Sequence, residues 1–250
     1  YKVCGAENDG GTNFVLDTVR TKKTVPIITM PMIFLGTMVT HFFGGSSGRE
    51  GAALQIGSSI SNAIGDGIGL DEKDMHIMTM CGMSAAFATL FGTPITAAVF
   101  AIEVVSIGIM HFSALVPCVI SSLAGIMVAQ VFDVAPTHFG ILDICRLNIE
   151  NIVKVIILSI LCAFISIVFC VVMKRVAGMY KKYAPNPFVR VAAGGVIVAI
   201  LTFVVGTQDY NGAGMAVIEQ AFSSRVVWHA FILKIIFTAF TLGAGFKGGE

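Results

Sequence analysis

The stretch "GGSSGREGAALQIG", residues 44–57, places an arginine–glutamate pair on a glycine-rich turn directly before an apolar-periodic segment. Glycines permit tight turns and close approach of the backbone to a ligand. A helix that opens at such a turn presents unpaired N–H groups and the positive end of its dipole, which together favour an anion. Gly48, Arg49, Glu50 and Gly51 are therefore candidate anion-site residues. Glu50 adds a second chemistry. As a carboxylate it competes with a substrate anion for those N–H groups; protonated, it is neutral and can leave, so one side chain serves as gate and as proton carrier. Two plainer readings stand beside this one. "GGSSG" can be an ordinary loop at a membrane interface, and Arg49 can simply neutralise Glu50.

Other polar residues within apolar runs offer less. Glu103 in "GTPITAAVFAIEVV" is expected to be structural and hydrogen-bonded to a neighbouring turn, and Lys234 in "HAFILKIIFTAF" to be a structural charge partner. The six cysteines, Cys4, Cys81, Cys118, Cys145, Cys162 and Cys170, have no metal-binding spacing. The five histidines form no ligand pair on one helical face. Nothing beside Glu50 makes a nucleophile–base pair or a metal cluster, so an enzyme is not expected and no cofactor is implied. A net charge of +1 gives no nucleic-acid footprint.

The elements that must position the turn follow from composition. Of 250 residues, 56% are hydrophobic and 12% charged, against about 25% charged in ordinary soluble domains; mean hydropathy is +0.86. Apolar runs lie at 27–43, 77–105, 107–132, 152–173, 188–206 and 226–244. Several reach the roughly 20 residues that span a bilayer as a helix. The chain reads as an all-α, polytopic protein of the cell membrane, in contact with lipid on its outer faces. Basic residues cluster at Arg20, Lys22 and Lys23 and again at Lys174, Arg175, Lys181, Lys182 and Arg190, which assigns both regions to the cytoplasmic side. "KKYAPNPF" reads as a connection between helices. The polar opening "YKVCGAENDGG" and the abrupt "GAGFKGGE" suggest an excerpt of a longer chain.

Two halves are expected, 1–135 and 151–250, joined by a linker at 136–150. "DGGTNFVLDTV" (9–19) can be laid on "NGAGMAVIEQA" (211–221) without gaps. Each half then reaches a glycine turn carrying a basic and an acidic residue, "GGSSGREG" and "LGAGFKGGE". Asp17 precedes Glu50 by 33 residues and Glu219 precedes Glu250 by 31. Internal repeats with interrupted helices at matching positions mark transporter folds that bind substrate at the repeat interface.

These residues resemble the CLC family of chloride channels and chloride/proton exchangers. "GREGAALQIG" is similar to that family's GREGP-type motif, and "GTPITAAVFAIE" to its segment reading approximately NAPLAGxxFxxE. Lys234, fourteen residues before the Gly248–Gly249 pair, resembles the basic residue ahead of a GGxFxP turn. The resemblance extends over almost the whole chain. It implies inverted halves with broken and re-entrant helices, a homodimer with one pore per subunit, Glu50 as the gating glutamate, and helices missing at both ends. Gly249 and Glu250 join the anion-site candidates on this ground. Three departures bear on the ion. The family's GSGIP turn aligns with "GGTNF", which places Gly11 where its anion-coordinating serine stands. Ala52 replaces the proline of GREGP. Val104 stands where exchangers carry an internal proton-relaying glutamate. With the "GGE" ending, these departures resemble the fluoride/proton antiporter branch. Fluoride is small and strongly hydrated and needs hard donors, which Thr12 and Asn13 beside Gly11 can offer; a protonated carboxyl group gives it a strong hydrogen bond. The expected function is exchange of fluoride or chloride for H+, with a passive anion channel of the same fold as the alternative.

Overall fold

Glycines and prolines at the ends of apolar segments set where the helices of this chain stop and start. The computed structural model describes residues 11–19, 21, 24–106, 108–137, 148–223 and 226–249. Arg20, Lys22, Lys23, most of the expected linker, Cys4, Cys145 and Glu250 lie outside the described residues. Among those described there are ten α-helices: α1 (Thr12–Thr18), α2 (Thr29–Phe42), α3 (Glu50–Ile68), α4 (Glu72–Phe91), α5 (Pro94–Val104), α6 (Leu115–Val131), α7 (Ile149–Tyr183), α8 (Pro187–Val205), α9 (Met215–Phe222) and α10 (Ala230–Gly243). Extended backbone pairing is confined, among the described residues, to two isolated bridges, Ser46 with Gly212 and Gly48 with Gly249.

The continuous apolar run at 77–105 is divided between α4 and α5. Gly92 ends α4 in the left-handed conformation, φ 70° and ψ 19°, and Pro94 opens α5 at its first turn. Proline fits there because the first-turn N–H it lacks has no partner within the helix. The run at 152–173 lengthens into the 35-residue α7, about 52 Å at 1.5 Å per residue. Asn148 caps its start by accepting from Asn151 N–H at 2.8 Å. The "KKYAPNPF" connection separates α7 from α8, and Asn186 caps α8 through Phe188 N–H at 3.0 Å. Among the described residues three helical segments are long and apolar enough to cross a membrane: Phe112–Val131, Ile149–Tyr183 and Pro187–Val205, with mean hydropathies of 2.1, 3.2 and 2.4.

Two compact units divide the chain. The first comprises Tyr1–Val39, Gly48–His138 and Gly248–Glu250; the second comprises Thr40–Ser47 and Phe139–Lys247. In the first unit α3 and α4 meet at Gly57 and Gly82. A Cβ on either would collide with the carbonyl oxygen of the other, which is how small residues let membrane helices approach. Two reciprocal bonds tie α4 to α6: Ser84 Oγ donates to Cys118 O and Ser121 Oγ to Cys81 O, each at 2.9 Å. Val15, Leu54, Met80, Met83, Ile102 and Cys118 belong to its core.

Glu103 departs from expectation. The buried face of α5 is Ala97, Ala98, Ala101 and Ile102, and Glu103 lies on the opposite side and is exposed. Apolar residues all round a helix hide from the sequence which face a lone acid occupies.

In the second unit α10 packs on α7 and α8. Gly243 sits against Val176 and Gly194 against Ala244. The rings of Tyr180 and Phe240 meet edge to face at 6.2 Å.

Candidate functional site

The site is built by the backbone between α2 and α3. Arg49 is the N-cap of α3, with φ −110° and ψ −19°, and its side chain makes no capping bond. The cap is supplied from inside the helix: Glu50 Oε2 accepts the Arg49 N–H at 2.8 Å. The carboxylate thus turns back over the turn, and a Cβ on Gly48 would collide with that oxygen. Glycine at 48 leaves the carboxylate this place; a side chain there would displace it. The Arg49 guanidinium extends elsewhere, its Nη2 donating to Thr137 Oγ1 at 3.0 Å. Thr137 N–H in turn donates to Leu90 O at 3.0 Å. The plain reading of an Arg49–Glu50 side-chain ion pair does not describe this geometry, because Glu50 takes the backbone N–H of Arg49.

The second glycine turn meets the first. Gly48 N–H donates to Gly249 O at 2.7 Å, and Gly249 N–H donates to Gly48 O at 2.9 Å. A Cβ on Gly249 would stand 2.8 Å from Gly51 N, 2.9 Å from Glu50 N and 3.0 Å from Gly48 C. The two turns therefore converge over the opening N–H groups of α3, where orphan donors and the dipole favour negative charge. Of the residues singled out from sequence, the structure gathers Gly48, Arg49, Glu50, Gly51 and Gly249 here. Gly11 opens α1 as its N-cap at φ 63°, with open space where a Cβ would point. Thr12 is half-buried and Asn13 exposed, and neither side chain is hydrogen-bonded to a described residue.

In the second unit the beginning of the glycine turn is pinned. Ser47 N–H donates to Gly212 O at 3.1 Å and Gly212 N–H to Gly45 O at 2.9 Å. Ser46 is fully buried; its N–H donates to Thr241 Oγ1 at 3.0 Å, and its hydroxyl lies 3.0 Å from that of Thr238. Lys234 Nζ donates to Ser46 Oγ at 2.8 Å, Gly212 O at 2.6 Å and Tyr210 O at 3.2 Å. Lys234 is thus a cross-tie between "GGSSG" and "NGAG", with hydroxyl and carbonyl acceptors among its partners. Sequence reasoning missed Thr137, Ser46, Thr238 and Thr241. A lone hydroxyl residue in an apolar run carries no local mark of a partner up to 195 positions away. Among the described residues no group of three His, Cys, Asp or Glu side chains is placed to hold a metal ion.

Fold and turn together describe a helical membrane protein in which two glycine turns meet at the start of a helix, and comparison with known proteins supplies the family. Residues 2–250 match the family model "Voltage gated chloride channel", and the chain belongs to that family. It is 32% identical over 257 residues to a "Chloride/fluoride channel protein" of Pseudomonas syringae pv. tomato, covering all of this chain and 57% of that protein. It is 22% identical over 230 residues to an "H(+)/Cl(-) exchange transporter" of Salmonella arizonae, covering 88% of this chain and 48% of the relative. A crystal structure of a "CLC-type fluoride/proton antiporter" superposes with a TM-score of 0.91 at 29% identity, covering 100% of this chain and 63% of that one. The chain thus spans between about half and two thirds of the length of these relatives. The resemblance read from GREG and the glycine turns is correct, as is the all-α CLC architecture. The protein is a multi-pass integral protein of the cell membrane.

Proposed function

We propose that this chain carries the gate of a proton-coupled anion antiporter, with fluoride the preferred anion and chloride the second. One observation carries the reading: the Glu50 carboxylate rests on a backbone N–H at the start of α3, in the place an anion would take. Protonation removes its charge and weakens that bond, since charge-assisted hydrogen bonds are about twice as strong as neutral ones. The side chain then swings clear, an anion enters, and the proton on Glu50 travels with the exchange. Arg49 keeps the local potential positive without consuming the carboxylate. Gly249 forms the opposite wall.

Fluoride is favoured over chloride by the donors and by the relatives. Backbone N–H groups are hard donors, Gly11 replaces a serine hydroxyl, and two of the relatives carry fluoride in their names. Gly11, Thr12 and Asn13 are proposed to line the approach. Asn13→Ala is then expected to slow fluoride transport more than chloride transport, because the more strongly hydrated ion depends more on a lost polar partner; equal effects would take Asn13 out of the path. The full-length protein in liposomes tests the main reading. A fluoride gradient is expected to drive protons against their own gradient. Fluoride movement without protons would assign a passive channel instead.

A further inference from the structure

The buried face of α3 behind the turn is polar. Gly51, Gln55, Ser58 and Asn62 are all buried, and their spacing sets them in one stripe along the helix. Asn62 is fully engaged, accepting Val25 N–H at 2.9 Å and donating to Thr79 Oγ1 at 2.8 Å. Gln55 and Ser58 differ. Gln55 Nε2 donates to Gly51 O at 3.2 Å, but Gln55 Oε1 and Ser58 Oγ have no hydrogen-bond partner among the described residues. The two residues are 1% and 0% exposed. Buried polar atoms left bare are costly, and ordered water is their usual partner where the protein supplies none.

The chemistry of the two atoms selects the guest. Flipping the Gln55 amide would set its oxygen against the Gly51 carbonyl, so the bond to Gly51 fixes the unpartnered atom as an acceptor. An acceptor and a hydroxyl three residues apart on one buried stripe take guests that bring hydrogens, namely water or hydronium. The acceptor repels a bare anion. Along the axis Gln55 lies about 7.5 Å and Ser58 about 12 Å beyond Glu50, at 1.5 Å per residue.

We propose that Gln55 and Ser58 hold buried water that relays protons to and from Glu50 along α3; this rests on the antiport reading. A proton reaching that water makes hydronium and leaves on the other side to the next carrier. Ser58 can accept from one water while donating to another. Gln55 Oε1 orients the water by accepting its hydrogen bond and does not take up the proton.

The test uses the full-length protein in liposomes under a fluoride gradient and reads protons moved per fluoride. Ser58→Ala, which removes one atom, is expected to lower that ratio about threefold to tenfold, the scale of one lost hydrogen bond. Ser58→Thr keeps the hydroxyl and is expected to keep the ratio; Gln55→Leu should act as Ser58→Ala does. An unchanged ratio in Ser58→Ala, or an equal fall of both fluxes, overturns the relay. If the unsubstituted protein moves no protons, the antiport reading fails, and the water is judged separately in a high-resolution structure. Density within hydrogen-bond distance of Gln55 Oε1 and Ser58 Oγ, lost in Ser58→Ala, supports the site. Its absence overturns it.

Discussion

Glu50 is the residue on which the reading turns. Its carboxylate caps its own helix through Arg49 N–H, so the same group that stabilises the helix start also occupies it. Glu50→Gln keeps the size and a carbonyl acceptor but cannot release a proton. It is expected to abolish proton movement under a fluoride gradient, while fluoride flux persists uncoupled or stops. Continued uphill proton movement in Glu50→Gln would show that another group is the carrier. Gly249 makes a second, geometric prediction. A methyl group there meets Gly51 N, Glu50 N and Gly48 C at 2.8–3.0 Å, closer than real Cβ contacts come. Backbone must move, so Gly249→Ala is expected to cut anion flux by tenfold or more, on the order of 1.4 kcal/mol at the barrier. Flux equal to the parent's would mean that the opening of α3 is not on the path.

At the scale of elements, glycine decides how closely helices pack. Gly57 and Gly82 let α3 lie directly on α4, each facing the other's carbonyl oxygen. Gly82→Val puts a branched side chain against Gly57 O and Ser61 Oγ. It is expected to cost about 1–3 kcal/mol or more by overpacking and to lower the thermal midpoint in detergent. Gly67 is the control. It lies on the exposed side of the same α3, with open space where a Cβ would go, and Gly67→Ala should leave the midpoint unchanged or raise it, since alanine is favoured over glycine in helices by about 1 kcal/mol. A fall for both variants, or for neither, would remove the α3–α4 contact as the explanation. The pattern of elements also bears on the repeat. The short α1 is followed by the 14-residue α2 and then by the first glycine turn; the short α9 is followed by the 14-residue α10 and then by the second.

At the scale of the whole molecule, that match leads to an expected symmetry. Residues 9–50 and 211–250 should superpose after a rotation about an axis in the membrane plane in an experimental structure of the full-length protein. A superposition requiring an axis along the membrane normal would make the halves parallel repeats instead. A homodimer is likewise proposed. Its mass, measured by light scattering in detergent, should be twice that of the subunit at concentrations that support transport.

Much of the fold was legible because its determinants are local. Apolar runs long enough for a bilayer, caps such as Asn186–Pro187, and the glycine before α3 act within a few residues of themselves. Hence the helix between "KKYAPNPF" and Gly206, and the helix start at Glu50, could be read from order alone. The break at Gly92–Thr93–Pro94 was also written locally, but the apolarity on either side concealed it. Other features depended on which faces meet. A helix apolar all round gives no sign that Glu103 faces outward, and neither Ser46 nor Thr137 announces its partner. The sequence alone determined that a carboxylate stands at a glycine turn before a helix. Only the tertiary structure decided that it bonds the Arg49 N–H, that Arg49 reaches Thr137 instead, and that Gly249 closes over both. Those contacts are set by the packing of segments far apart in the chain, and hydrophobic packing fixes position without leaving a local pattern to read.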